Sequence, residues 1–124
     1  MDALLDTTVI VHLLRRKQGA IDWLKTESIV GITSITWMEI MGGTSSKANQ
    51  AYSKETLEKF QIAHLTTADQ EWAMQELEKY QFSHHIGMND CLIASVAHRL
   101  NITLYTHNIK DMSPMIGSLA KKPY

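Results

Sequence analysis

Short apolar runs recur along the chain, and the segments between them carry apolar residues at helical spacing. Four runs are predicted as buried strands, at residues 3–5, 29–32, 61–65 and 102–105. Between them, apolar positions three or four residues apart predict helices. Short apolar strands that alternate with helices are typical of a parallel sheet covered on both faces. We therefore predict an α/β fold, a three-layer α/β/α domain with a short parallel sheet of about four to five strands.

Polar and glycine residues predict where the helices begin and end. A helix is predicted over residues 33–41, and the turn-forming residues 42–49 after it predict a hinge. Met88 or Asn89 is predicted to cap a later helix. Residues 106–111 are predicted as a loop after the fourth strand.

Length and composition narrow the class of protein. The chain has 124 residues, of which 44% are hydrophobic and 20% charged, so we expect one globular domain over residues 1–124 and no extensive disorder. A single cysteine, Cys91, excludes an internal disulfide framework and fits the reducing cytoplasm. No apolar run reaches the roughly 20 residues of a membrane span. Asp2, Asp6 and His12 interrupt the first apolar stretch, so no signal peptide is expected.

Four acidic residues fall near strand ends or in apolar segments. Asp6 ends the first strand, and Asp111 follows the fourth. Asp90 lies in the first turn of a predicted helix, and Glu39 lies in the middle of another. In an open parallel sheet, ligands bind beyond the carboxyl ends of the strands, so the predicted topology would bring these acids together.

Clustered carboxylates need compensation, because two unit charges about 4 Å apart repel by about 4 kcal/mol at an effective dielectric of 20. Neither Lys nor Arg is adjacent to Asp6, Glu39 or Asp90 in the sequence. Mg²⁺ or Mn²⁺, which prefers oxygen ligands, would supply that compensation and would assist phosphodiester chemistry. Structural roles are the alternative: Asp6 could cap a helix, and Asp90 could interact with a helix dipole.

Four segments, in order, resemble the motifs of PIN-domain nucleases, and at this length most resemble the VapC-like toxins of toxin–antitoxin pairs. The segments are residues 4–7, 33–43, 89–95 and 105–112. The resemblance implies a Mg²⁺- or Mn²⁺-dependent endoribonuclease that is held inactive by a cognate antitoxin, and it favours a homodimer. By motif position, Asp6, Glu39 and Asp90 would be catalytic metal ligands and Asp111 would complete the set. Thr7 and Asn108 would be supporting polar residues.

The fourth segment departs from the family pattern. His107 stands where the family often has Arg or Asn, and Met112 stands where an aromatic residue often follows the last Asp. Because the loop of His107 reaches the predicted site, His107 is a candidate contact for substrate phosphate.

Two other functional classes were weighed. A receiver-type signalling module would need a phosphoacceptor Asp at the end of the third strand, where this chain has His64, Leu65 and Thr66. The alternative function is that of a catalytically inactive PIN-like regulator that binds RNA or protein. The net charge of −1 does not exclude RNA. If metal neutralised four of the 13 acids, nine would remain against 12 Lys and Arg residues, and the surface outside the site would be basic.

Overall fold

The computed structural model describes residues 1–27 and 29–124, and their strands form one parallel sheet. The strands are β1 (Ala3–Leu5), β2 (Val30–Thr33), β3 (Gln61–Ala63), β4 (Thr103–Tyr105) and β5 (Ala120–Lys121). They lie in the order β3-β2-β1-β4-β5. The chain thus moves outward from β1 to β3 and then returns to place β4 on the other side of β1. This reversal creates a topological switch point between β1 and β4, which is where α/β folds bind ligands.

Seven α-helices connect and cover these strands in the described part of the chain. They are α1 (Thr7–Leu14), α2 (Gln18–Leu24), α3 (Ser34–Gly42), α4 (Lys47–Leu57), α5 (Thr67–Tyr80), α6 (Met88–Leu100) and α7 (Ile109–Ile116). A short 3₁₀ turn, Gly117–Leu119, leads from α7 into β5. No helix among the described residues combines the length and apolar character that crossing a membrane would need.

Both faces of the sheet are buried, because successive side chains in a strand point to opposite sides. Leu4 and its β4 neighbour Leu104 belong to a core formed with α5, α6 and α7. Leu5 belongs to a second core, formed with residues of α1, α3 and α4. The predicted three-layer α/β/α fold is therefore confirmed, with five strands.

Several predicted boundaries in the first half of the chain differ from those in the structure. The second strand runs from Val30 to Thr33, one residue later than predicted, and the third strand ends at Ala63. The predicted hinge at 42–49 is shorter, since α4 already begins at Lys47. The reason is local: the Ser46 side chain accepts a hydrogen bond from the backbone N–H of Asn49 at 3.1 Å and so caps the new helix.

Two more predictions, both next to the acidic residues, are corrected. Helix α6 is capped by Gly87, without a side-chain hydrogen bond, rather than by Met88 or Asn89. Residues 109–116, the first three of which were predicted to be loop, form α7, so Asp111 lies in the first turn of a helix. Pro114 argues against a helix in the sequence, and it lies inside α7, where it removes one backbone hydrogen-bond donor.

Candidate active site

Asp6 and Thr106 lie side by side at the switch point. Leu5 and Tyr105 are register partners of β1 and β4, so the residues that follow them meet at the carboxyl edge of the sheet. The Thr106 hydroxyl donates a hydrogen bond to Asp6 Oδ2 at 2.6 Å. The backbone N–H of Thr7 donates to Asp6 Oδ1 at 2.8 Å, which makes Asp6 the N-cap of α1. The Asp6 carboxylate, only 4% exposed, is thereby fixed in orientation.

Glu39 reaches the same edge from α3 and is held by two neighbours. The Thr7 hydroxyl donates to Glu39 Oε1 at 2.7 Å, and the Asn89 amide donates to Oε2 at 3.2 Å. Although the sequence around Glu39 is mostly apolar, its side chain is exposed. Thr7 therefore connects the start of α1 to α3 through its side chain.

Asp111 is joined to the site through the loop after β4. The Asn108 side-chain amide donates to Asp111 Oδ2 at 2.9 Å. The Asn108 backbone N–H donates to the Thr106 hydroxyl oxygen at 2.9 Å. Because that same hydroxyl donates to Asp6, a continuous chain of hydrogen bonds runs from Asp111 to Asp6.

The pKa of Asp90 responds to the charges of the other three carboxylates. Burial raises the pKa of Asp90 to about 6, and the charges of Asp6, Asp111 and Glu39 also raise it, against a backbone hydrogen bond that lowers it. Burial likewise raises the pKa of Asp6, and so does Glu39, although the hydrogen bonds from Thr106 and Thr7 lower it. Asp6, Glu39 and Asp111 therefore lie close enough to Asp90 for their charges to act on it.

The negative charge of this group is not compensated by protein cations. In the described residues, no Lys, Arg or His forms an ion pair with any of the four carboxylates. Nor do three or more His, Cys, Asp or Glu side chains of the described chain stand in a ready-made metal-holding arrangement. The donor set, carboxylate oxygens with uncompensated charge at a switch point, suits a hard divalent cation.

Three residues in the site were not singled out from sequence: Thr106, Asn89 and Thr36. Thr36 lies 3.1 Å from Thr7, hydroxyl to hydroxyl. The position of Thr106 was accessible from pairing rules, since a residue that directly follows a strand parallel to β1 must lie near Asp6. The contact of Asn89 with Glu39 depends on how α3 packs against α6, which no local pattern reveals. The remaining predicted residue, His107, lies beside Thr106 with its ring 4.9 Å from that of His12.

The sequence profile of the PIN domain matches residues 3–111, which span all four acids. The chain belongs to the PIN-domain family. PIN domains are nucleases, so the acidic site is the candidate active site of a nuclease. A comparison with curated proteins found no match.

Solved structures with the same fold come from toxin–antitoxin systems. VapBC2 from Rickettsia felis bound to a promoter DNA fragment is 26% identical, with a TM-score of 0.81 and 98% of each chain covered. A toxin–antitoxin complex from Klebsiella pneumoniae is 24% identical, also with a TM-score of 0.81 and 98% coverage of each chain. DNA-bound VapBC from Salmonella typhimurium is 20% identical, with a TM-score of 0.81, and the match covers 100% of this chain and 99% of that one. This PIN domain is therefore similar to VapC-type toxins.

Proposed function

We propose that this PIN domain is the toxin of a type II toxin–antitoxin pair and hydrolyses RNA phosphodiester bonds with Mg²⁺ or Mn²⁺. The observation that carries the proposal is the group of four carboxylates at the switch point, which has no cationic partner in the described chain. Asp6, Glu39, Asp90 and Asp111 would hold the metal. When bound, the metal would activate water and stabilise charge on the phosphate.

The chain's own residues would hold those carboxylates in place. Thr106 fixes Asp6, Thr7 and Asn89 fix Glu39, and Asn108 fixes Asp111. Hydrogen-bond partners of this kind hold the metal-ligating side chains in orientation, and their loss commonly lowers metal affinity about 10–100-fold. These contacts support the proposed supporting roles of Thr7 and Asn108, and we extend the same role to Thr106 and Asn89.

The antitoxin partner has a candidate docking surface away from the acids. A cavity of about 520 Å³ is bounded mainly by α1, α2 and α4. Its lining includes Leu13, Leu24, Phe60, Arg16, Lys25 and Lys59. Glu55 also lines it, so basic side chains outnumber acidic ones. An apolar segment with acidic residues would match this surface, and such a segment is the antitoxin element that we propose binds here.

Assembly and location complete the proposal: a cytoplasmic homodimer that joins the antitoxin in a hetero-oligomer. Met74 on α5 and Met88 on α6 are 69% and 62% exposed, which leaves apolar surface for a second subunit. Light scattering of the purified protein tests the dimer. Co-purification with a small protein encoded beside the gene tests the antitoxin, and Lys25→Glu with Lys59→Glu should weaken that association.

In the decisive experiment, RNA is incubated separately with the wild-type protein, with Asp90→Asn and with Asp22→Asn, and the ends of the cleaved RNA are sequenced. We expect metal-dependent cuts by wild type, a loss of at least about 100-fold in Asp90→Asn, and no loss in the exposed control Asp22→Asn, since metal stabilisation is worth several kcal/mol. Undiminished cleavage by Asp90→Asn would contradict the proposed site. RNA binding by wild type without any cleavage would instead favour the inactive regulator.

A further inference from the structure

A second cluster of chemically active side chains lies next to the acidic site. His12 comes from α1, His107 from the loop after β4, and Tyr124 follows β5. Tyr124 packs its ring 4.7 Å from that of His107, centroid to centroid, and its hydroxyl lies 2.5 Å from His12 Nδ1. Through α1, which rises about 1.5 Å per residue from its Asp6 cap, His12 lies roughly 9 Å along the helix from the acids.

The charges that act on this cluster have the opposite sign from those of the acidic site. Partial burial lowers the pKa of the His12 imidazole, and the positive charges of Lys17 and Arg15 lower it further. Burial also lowers the pKa of His107, with additional lowering by Lys122 and Lys17. The side chains of His12, His107, Lys17 and Lys122 are here called the basic cluster.

One atom of the basic cluster has an unmet hydrogen-bonding requirement. His107 Nε2 is buried and has no hydrogen-bond partner in the described part of the chain. Buried polar atoms are normally paired, and an exception calls for an explanation such as an absent ligand. The Tyr124 ring covers His107 and is itself 37% exposed, so its movement would open this nitrogen to a ligand.

We propose that the basic cluster binds a backbone phosphate of single-stranded RNA, one that flanks the phosphate held at the acidic site. Lys and Arg side chains supply the electrostatic part of such binding, and aromatic rings stack on bases. Lys17 and Lys122 would attract the phosphate, His107 Nε2 would donate to it, and Tyr124 would contact the adjoining base. This inference rests on the proposed function for its choice of RNA as the ligand.

Binding, rather than cleavage, provides the test, in an Asp90→Asn background with a fluorescein-labelled 12-nucleotide RNA of mixed sequence. Adding Lys17→Ala and Lys122→Ala should weaken binding at least tenfold. Since each neutralised phosphate contributes about 0.7 to the salt slope for single strands, loss of this one phosphate contact should lower the slope by about 0.7. The matched control is Lys47→Ala with Lys54→Ala on α4, which removes two exposed lysines elsewhere and should change neither quantity.

Nitrogen NMR of the imidazole rings tests direct contact between His107 and RNA. Addition of RNA should shift the His107 Nε2 resonance, and inorganic phosphate should do so only at far higher concentration. Equal weakening in the control pair, an unmoved resonance, or phosphate binding as tightly as RNA would each overturn the inference. If wild type cleaves RNA while the variant with Lys17→Ala and Lys122→Ala binds RNA normally, the role of the basic cluster is contradicted and the proposed function stands. If that variant binds RNA more weakly but wild type does not cleave RNA, the role of the basic cluster stands and the proposed function is contradicted.

Discussion

Asp6 and Asp69 are equally buried aspartates near helix starts, yet their surroundings differ. Asp69 is 2% exposed and Asp6 is 4% exposed. Arg99 Nε donates to both carboxylate oxygens of Asp69, at 2.8 and 3.0 Å. Asp69 also completes a capping box with Thr66 at the start of α5. Within the described residues, Asp6 has hydrogen-bond donors but forms no ion pair, and the charges of Glu39 and Asp90 interact with it.

The difference separates a structural carboxylate from one available to a ligand. Burying a charge is costly unless it is paired, and Asp69 is paired within the protein. Thr106 holds Asp6 in orientation but does not neutralise its charge, so that charge is available to a bound cation. Burial alone would not have distinguished the two residues. The presence of a counter-charge does.

The largest effect on stability is expected at Asp69. Asp69→Asn replaces an acceptor that faces Arg99 by an amide that cannot accept as well, so the free energy of unfolding should fall by about 2–3 kcal/mol through lost charge-assisted hydrogen bonds. Urea denaturation measures the change. RNA cleavage by the remaining folded protein should be unaffected, and a loss below about 0.5 kcal/mol would show that the ion pair is not structural.

Metal should stabilise the acidic site and leave the Asp69 region unchanged. At a concentration of Mg²⁺ or Mn²⁺ ten times the Kd, binding to the native state alone adds about 1.4 kcal/mol to the free energy of unfolding. The midpoint of thermal unfolding should therefore rise in wild type and in Asp69→Asn, and rise much less in Asp90→Asn. An equal rise in all three proteins would place the metal elsewhere.

The layers and the parallel strands could be predicted because apolar runs and helical spacing are local patterns that can be read without packing. The four acids were selected by their positions relative to these elements, and their role stays a prediction. The start of α4 was predicted late because Ser46 lies within a stretch rich in turn-forming residues. Helix α7 was not predicted, because a proline such as Pro114 is unfavourable inside a helix. The helix is stabilised by packing, since Met112 and Met115 are buried in the core.

What the sequence did not reveal is which partners each side chain meets across elements. The contact between Asn89 and Glu39 joins residues 50 positions apart, on α6 and α3. In the sequence Asp69 is only an acid near the start of a helix, and its contact with Arg99, 30 positions away, depends on the fold. Long-range pairing depends on helix packing angles, which local sequence does not fix.

The reverse sign is expected for the same substitution at Asp6. Asp6→Asn removes a buried charge among carboxylates and keeps an oxygen for the Thr7 N–H. The hydrogen bond from the Thr106 hydroxyl is lost and offsets part of this gain, so the metal-free protein should gain about 1 kcal/mol in its free energy of unfolding. Urea denaturation in the presence of a chelator measures this gain. A clear loss would mean that Asp6 acts mainly as the cap of α1.

The smallest effect, and the most specific, is the pH dependence that Asp90 confers. Its native pKa of about 6 lies above the ordinary value of 3.8, so between these pH values the native state holds a proton that the unfolded chain has released. This group therefore makes the metal-free protein more stable as the pH falls below 6 and less stable as the pH rises through 6. Since Asp90 is partly exposed and screened by water, the change is about 1 kcal/mol.

Comparing wild type with Asp90→Asn isolates this dependence, because other titrating groups are common to both proteins. The difference between their free energies of unfolding, measured in chelator at pH 5 and pH 7.5, should grow towards pH 7.5, with wild type the less stable. Bound metal favours the ionised carboxylate and should remove the difference. If the two proteins keep a constant difference across this range, Asp90 is ionised throughout and the acidic group lacks the mutual repulsion that distinguishes it from Asp69.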